Sequence, residues 1–263
     1  MESNARAPSG LILFALIALA ASAGFIRLGV WQLERHREVR GENAARAARI
    51  ALAPLQLNAS LVATTPTDSL LWRQVEISGR WELDRDVVIR SRARSGTPGI
   101  HVVTPLRLHN EAEDSPGTGV LVLRGWQPSP DAATSQREAE TAELGIDEEA
   151  PRLALVRESR SGQGGPMVEL GTDSGGIRSF AAIDVAMIVG ESDETAPFFL
   201  QLLPAEGDAL GRVGDPLPVP LPALDDGPHL SYAIQWFSFA LITLIGSVAF
   251  LKRERGPNPS KRV

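Results

Sequence analysis

From Leu230 to Leu251 the chain runs for 22 residues without a charged side chain, "LSYAIQWFSFALITLIGSVAFL". A helix rises about 1.5 Å per residue, so a run of this length covers the roughly 30 Å hydrocarbon core of a bilayer. It is expected to be a membrane-spanning helix. A second apolar run begins at Gly10, "GLILFALIALAASAGFI", and continues past Arg27 as "RLGVWQL" to Leu33. Its first part alone is close to the lower limit for a span. Arg27 near the helix end can extend its charged head towards the headgroups, and Trp31 suits the interface. The competing reading is a cleaved signal peptide, and "ASAG" at Ala21 to Gly24 resembles a cleavage site. Against it, the start carries only Arg6 opposed by Glu2, where a signal sequence needs a basic region. A retained anchor is the expectation.

Two spans place both termini on one side of the membrane. The tail "KRERGPNPSKRV" is strongly basic, and short basic flanks stay cytoplasmic. "ERHREVR" after the first run is basic too and argues the other way, but its glutamates are interspersed. The connecting segment is also nearly 200 residues long, and loops of that length cross largely regardless of charge. The expected order is a cytoplasmic tail over 1–9, a transmembrane helix over 10–33, and a helical extension and linker over 34–69. An extracytoplasmic β domain over 70–224, with an acidic loop at 131–150, a second transmembrane helix over 225–251 and a basic cytoplasmic tail over 252–263 complete it. The expected location is a cell (inner) membrane. The absence of cysteine excludes disulfides, haem attachment through Cys-x-x-Cys-His, thiolate metal sites and cysteine nucleophiles. A net charge of −6 gives no reason to expect nucleic acid as a partner.

Between the spans, "ERHREVRGENAARAARI" is rich in Ala, Arg and Glu and reads as a helix continuing out of the membrane, weakened at Gly41. In "LWRQVEISGRWELD" the residues Leu71, Val75, Ile77, Trp81 and Leu83 alternate with polar ones, the period of a half-buried strand or a pair of strands bent at Gly79. Alternation returns in "GIHVVTPLRL", with Ile100, Val102, Thr104, Leu106 and Leu108 on one face, and "SPGTG" supplies a turn before "VLVLRGW". "DVVIRSR", "RLALVRE" and "PFFLQLL" are shorter candidates. Several strands with few helical patterns between them argue for a mostly antiparallel barrel or sandwich. "DAATSQREAETAELGIDEEA" is an exposed acidic loop or short surface helix. The glycine-rich "SGQGGP" and "GTDSGGIRS" lack the strand-then-helix context of a phosphate loop.

Four histidines are present, His36, His101, His109 and His229, and none has a partner at metal-helix spacing. "TDSGG" suggests a serine nucleophile but lacks the spacing of a nucleophile elbow, which leaves a hydrolase as a distant reading. Arg90, Arg92 and Arg94 alternate in "RSRARSG"; as a strand they form a stripe that either binds carboxylates or solvates an edge. His229 stands at the start of the second span, sharing a helical face with Tyr232, Trp236 and Phe239. It is either an axial ligand for haem iron, with the porphyrin against the rings, or a polar anchor at the headgroups.

Three motifs read together narrow the choice: "LGVWQLERHREVR" at the first span, "PGIHVVTPL" with "VLRGWQP" in the middle, and "HLSYAIQWFSFALI" at the second span. In order and spacing they resemble the surfeit locus protein 1 family of assembly factors for haem-copper cytochrome c oxidase. The resemblance covers nearly the whole chain. It implies two transmembrane helices flanking a mostly β extracytoplasmic domain that helps supply haem a to oxidase subunit I, in company with other assembly factors and membrane lipid. It also implies a haem iron ligand at His229, cofactor contacts from Tyr232 and Trp236, and motif positions Gly29, Trp31, Gln32, Gly125 and Trp126. The last two match a tight turn after the central strand. Gln127 stands where the family more often has an apolar residue, and a lysine usual after "WQL" is not evident. The implied protein is a carrier and not an enzyme, with a structural assembly scaffold as the rival. Close approach of the spans is expected through Ala18, Ala21, Ser22 and Gly24 on one side and Gly246 and Ser247 on the other.

Overall fold

The computed structural model describes residues 8–109, 117–134, 151–160, 169–172, 176–190, 194–204 and 216–255. The chain divides into two compact units, residues 1–45 with 223–263, and residues 46–222.

The first unit is built on two helices, α1 (Pro8–Ile50), whose last residues belong to the second unit, and α5 (His229–Arg255). Both are long and apolar enough to cross a membrane. The 43 residues of α1 correspond to about 65 Å of helix, roughly twice a bilayer core. The span expected over 10–33 and its extension are thus one element, and Gly41 lies inside it without interrupting it. Strong helix formers on both sides, "RHREVR" and "ENAARAAR", offset the roughly 1 kcal/mol that one glycine costs.

Ala18, Ser22, Phe25, Gly29, Gln32, His36, Val39 and Asn43 recur along α1 at alternating steps of four and three, and every one is buried or half-buried. His229, Ala233, Trp236, Ala240, Thr243 and Ser247 do the same on α5. A period of 3.5 is the seam of a left-handed helix pair. Phe14 meets Phe250, Phe25 meets Trp236 and Gln32 meets His229, so the pair is antiparallel. Ala18, Ser22, Ala233 and Ala240 are small and buried, which lets the backbones come close. The expectation for small residues holds at Ala18 and Ser22 and fails at Gly24 and Gly246. The seam period carries those two to the outside, where a Cβ would meet nothing. Ser22, Ser238 and Ser247 each donate to the carbonyl four residues back, which satisfies the hydroxyl within its own helix. Away from the seam the surface is apolar, with Leu19 61% and Ile242 66% exposed, as suits a lipid solvent.

The second unit is a ten-stranded mixed sheet. Its elements are β1 (Leu55–Leu57), α2 (Ala59–Thr64), α3 (Thr67–Leu70), β2 (Gln74–Ile77), β3 (Gly79–Trp81), β4 (Val87–Ile89), β5 (Gly99–Leu108), β6 (Gly119–Pro128), β7 (Arg152–Glu158), β8 (Glu169–Thr172), β9 (Arg178–Phe180), α4 (Val185–Val189) and β10 (Thr195–Leu202). The order is β1-β2-β7-β10-β6-β5-β4-β9-β8, with β3 paired to β5. Three pairings, β1 with β2, β6 with β10 and β4 with β9, are parallel and the other six among the described residues are antiparallel, so the sheet is mostly antiparallel, as expected, but mixed. The segment expected as linker up to residue 69 supplies β1, α2 and α3 to this unit.

Alternate residues of the central strands feed two cores. Val120 and Val122 of β6 pack with Val75, Ile77, Trp81 and Phe198, while Leu121 and Leu123 pack with Val87, Ile89, Val103 and Phe180. A strand covered on both faces needs a continuous apolar run, which is what "VLVL" is. The bend at Gly79 (φ +159°) lets the chain pass from β2, paired with β7, to β3, paired with β5.

"DVVIRSR" is a strand only to Ile89. Ser91 (φ +58°) and Ser95 (φ +49°) turn the chain out of the sheet, so no strand carries the arginines as a stripe. Of the acidic loop, 131–134 form a turn in which the Asp131 carboxylate accepts from Ser129 Oγ and from the Ala133 and Thr134 amides. These bonds, the Ser129 and Thr134 hydroxyls foremost, hold its pKa far below the carboxylate range. Residues 135–150, "SGQGGP", the start of "SPGTG" and the serine of "TDSGG" lie outside the described residues.

Candidate functional site

The head of α5 is held by polar contacts to α1. Asp225 Oδ1 accepts from the Gly227 amide at 2.9 Å, and Gly227 adopts φ +70°, where a side chain is strained. Pro228, which needs no amide partner, opens the helix, its carbonyl accepting from the Tyr232 amide (3.1 Å) and Ser231 Oγ (2.7 Å). Asn43 Nδ2 donates to Asp225 O at 3.0 Å and to Asp226 Oδ1 at 3.1 Å.

His229 points at α1 and is half-buried, its Nδ1 2.9 Å from Gln32 Oε1. An amide oxygen only accepts, so Nδ1 carries the proton and the lone pair of the neutral ring lies on Nε2. A Cβ at Gly227 would come within 3.4 Å of Nε2, and the glycine leaves that edge of the ring open. One turn further along the seam, Phe237 lies over Gly29, where a Cβ would meet its ring at 2.7 Å. Phe25, Trp236 and Phe239 then form a triangle of rings with centroids 5.8–5.9 Å apart.

His229, Trp236, Gly29 and Gln32 are thus brought together. Tyr232 (45% exposed) and Trp31 (54% exposed) lie off the seam on the outer surface. Phe25, His36 and Asn43 belong to the seam without having been singled out, and the 3.5 period running through all three is the signal that finds them, whereas Phe237, next to Trp236, is found only through its contact with Gly29. His36 lies one turn beyond Gln32 with a buried Nδ1 that has no hydrogen-bond partner among the described residues.

Gly125 and Trp126 are in the other unit, within β6 and not in a tight turn. Val102 pairs with Gly125 and Val103 with Leu123, so Arg124 is an extra residue and the motif marks a β-bulge. A Cβ on Gly125 would stand 2.5 Å from Leu217 O and 2.8 Å from Pro216. Trp126 exchanges two 2.7 Å backbone hydrogen bonds with Leu217, and its Nε1 donates to Arg92 O at 2.6 Å. Gly99 of "PGIHVV" is the complement, since a Cβ there would lie 2.5 Å from the Trp126 indole. These motif residues hold the sheet unit together.

His109 is exposed at the end of β5. His101, half-buried in β5, is held at a pKa of about 4 by burial and by Arg92, below its ordinary 6.5. The unfolded chain binds a proton at this position below pH 6.5 while the folded chain does not. Stability is therefore full above pH 6.5 and falls as the pH drops from 6.5 towards about 4. Urea midpoints of the wild type measured across that window are expected to decline, and those of His101→Gln to decline less.

Chemically, the helix head offers one oriented imidazole with a free Nε2, an open edge beside it and a set of aromatic rings. No group of three or more His, Cys, Asp or Glu side chains able to hold a metal occurs among the described residues. The donor set therefore does not fit a bare metal ion. It fits a group whose metal arrives already held by the group's own donors and would take one nitrogen from the protein, as haem iron can.

A mixed β-sheet unit enclosed in sequence between two apolar helices, which pair around an oriented histidine, defines a class of helix-anchored β-domain proteins. The chain belongs to the SURF1 family, whose pattern it matches over residues 19–241, a family linked to cytochrome oxidase assembly. A SURF1-like protein of Mycobacterium tuberculosis is 27% identical over 239 residues, 90% of this chain and 82% of that protein. A SURF1-like protein of Rickettsia felis is 25% identical over 244 residues, 88% of this chain and 93% of that protein. Surfeit locus protein 1 of Arabidopsis thaliana is 32% identical over 117 residues, 43% of this chain and 33% of that protein.

Proposed function

We propose that the protein binds haem a at the membrane surface and helps deliver it to subunit I of a haem-copper cytochrome c oxidase. The observation that carries this reading is the Gln32–His229 contact, which gives the imidazole the tautomer a metal ligand needs and turns its open edge towards Gly227. His229 would hold the iron through Nε2. Trp236, with Phe25 and Phe239, would offer apolar ring contacts to the porphyrin, and Tyr232 would flank it from the outer surface. When bound, haem would supply an iron able to take the His229 nitrogen as a ligand. The chain's residues bind, orient and shield it, and they make or break no bond, so the protein acts as a carrier and not an enzyme. One axial nitrogen and apolar contacts give the moderate affinity that permits release to a tighter acceptor. In this reading the two helices span a cell inner membrane, with both termini cytoplasmic and the β-sheet unit extracytoplasmic. The partners are oxidase subunit I, other assembly factors and lipid.

The test is the absorbance spectrum of the full chain purified from cells that make haem a, together with oxidase maturation in the same cells. A stoichiometric haem signal that disappears in His229→Ala, with maturation impaired, supports the carrier. Haem content and maturation both unchanged in His229→Ala would show that this ligand assignment is wrong. Impaired maturation in a chain that never carries haem would favour the scaffold.

A further inference from the structure

Among the described residues three buried side-chain nitrogens have no hydrogen-bond partner: Nε of Arg73, Nε of Arg90 and Nδ1 of His36. An arginine can leave one of its five donors unused, whereas a histidine has only two ring nitrogens. His36 is also the one of the three that lies in the helix seam. The seam's polar residues on either side of it are satisfied. Gln32 Oε1 is 2.9 Å from His229 Nδ1, and Asn43 Nδ2 donates to Asp225 O and Asp226 Oδ1. A buried polar group left alone between satisfied neighbours is destabilising, and it marks a place where a partner is missing.

The same two contacts determine what runs past His36. On α1, His36 is one turn, about 6 Å, beyond Gln32, and Asn43 is about 10 Å further along the same face. The opposing chain is held to Asn43 at Asp225 and Asp226 and to Gln32 at His229, so Gly227 and Pro228 pass the stretch of α1 that carries His36. His229 Nδ1 is taken by Gln32, and Nε2 lies on the side of Gly227, where no side chain fills the space. The open nitrogen of one imidazole and the unpartnered imidazole of the other are thereby brought to one stretch of the seam.

We propose that His36 is a second protein ligand to the haem iron, offered by α1 opposite His229 of α5. This rests on the haem reading above and adds a residue to that same site. Each imidazole gives the lone pair of one nitrogen, and no proton or electron is transferred. The two are unequal ligands. Gln32 orients His229, whereas His36 Nδ1 has no partner among the described residues to orient its ring. His36 is the weaker and more readily exchanged of the two, so its loss is the first step of release and the affinity stays in the range a carrier needs.

The full chain is purified in nonionic detergent from cells that make haem a, and the spin state of the ferric form is read by absorbance and electron paramagnetic resonance. The wild type is expected to be low-spin. His36→Gln, which keeps a polar side chain in the seam, is expected to retain haem in a high-spin form, bound about tenfold more weakly. His36→Gly is expected to be high-spin as well and to return to low spin when imidazole is added, a rescue that a purely structural role for His36 does not give. Haem that is high-spin in the wild type, or that stays low-spin in both variants, would overturn this proposal and leave His229 as the ligand. A wild-type chain that carries no haem would sink the haem reading and this proposal together.

Discussion

Gly125→Ala is expected to lower the melting temperature of the sheet unit by about 6–12 °C, equivalent to roughly 3 kcal/mol for a unit of this size. The added Cβ would lie 2.5 Å from a backbone oxygen, that of Leu217, and 2.8 Å from Pro216. A side chain in the way can change rotamer, whereas a backbone atom moves only if its segment moves. Here the segment is held by both Trp126–Leu217 hydrogen bonds and, two residues on, by Gln201, whose Nε2 donates to Val219 O and Pro220 O at 2.9 and 3.0 Å. Relieving the clash gives up the two backbone bonds, each worth about 1 kcal/mol, in addition to the strain. Gly96→Ala is the control. Unlike Gly125, Gly96 sits at positive φ, 82°, but a Cβ there meets nothing, so its loss is a backbone effect alone, of about 1–2 kcal/mol. Thermal melts of the three proteins, followed by Trp fluorescence, measure the difference. Equal losses in the two variants would show that the approach of Leu217 does not matter.

The roles of Gly125 and Gly99 explain why the middle motifs are legible as motifs and not as structure. Both glycines are set by contacts with residues far along the chain or across a strand, Leu217 in one case and the Trp126 ring in the other. Nothing local in "RGW" separates a bulge from a turn. The parallel pairings escaped for the same reason, since β10 joins β6 from nearly eighty residues away and alternation says which face is buried but not which neighbour lies beside it. Alternation itself was informative. Ile100, Val102, Thr104, Leu106 and Leu108 are all 5% exposed or less, as the period of two requires. The arginines of "RSRARSG" misled because the period was carried past Ile89, where two serines at positive φ end the strand.

The helices were more legible because their signals are local and long. Charge-free length marks them, and the 3.5 period then says which residues meet. That period separates His229, Trp236, Gly29 and Gln32, which face the partner helix, from Tyr232 and Trp31, which do not. Six residues of one motif set thus have two different surroundings, although all belong to the motifs of the two spans. The orientation of His229 towards α1 was the one property that position along the helix left open, and it is fixed by a single contact, with Gln32.

On the proposed haem reading, Gln32→Leu is expected to weaken haem binding by about ten- to a hundredfold while leaving some haem bound, and His229→Ala to abolish it. Leucine has nearly the volume of glutamine but accepts no hydrogen bond, so the helix seam stays filled and only the partner of Nδ1 is lost. The imidazole is then free to rotate and to place its proton on Nε2, the nitrogen that must donate its lone pair to iron. Gln32→Glu tests the same contact in the opposite sense. A carboxylate accepts from Nδ1 more strongly than an amide, makes Nε2 more basic and is expected to retain haem with a shifted Soret band. Haem titrations of the purified full chain, followed by absorbance, distinguish these cases. A seam role alone would make Gln32→Leu neutral for haem and Gln32→Glu harmful to the helix pair, the reverse of the order expected for a residue that positions a ligand.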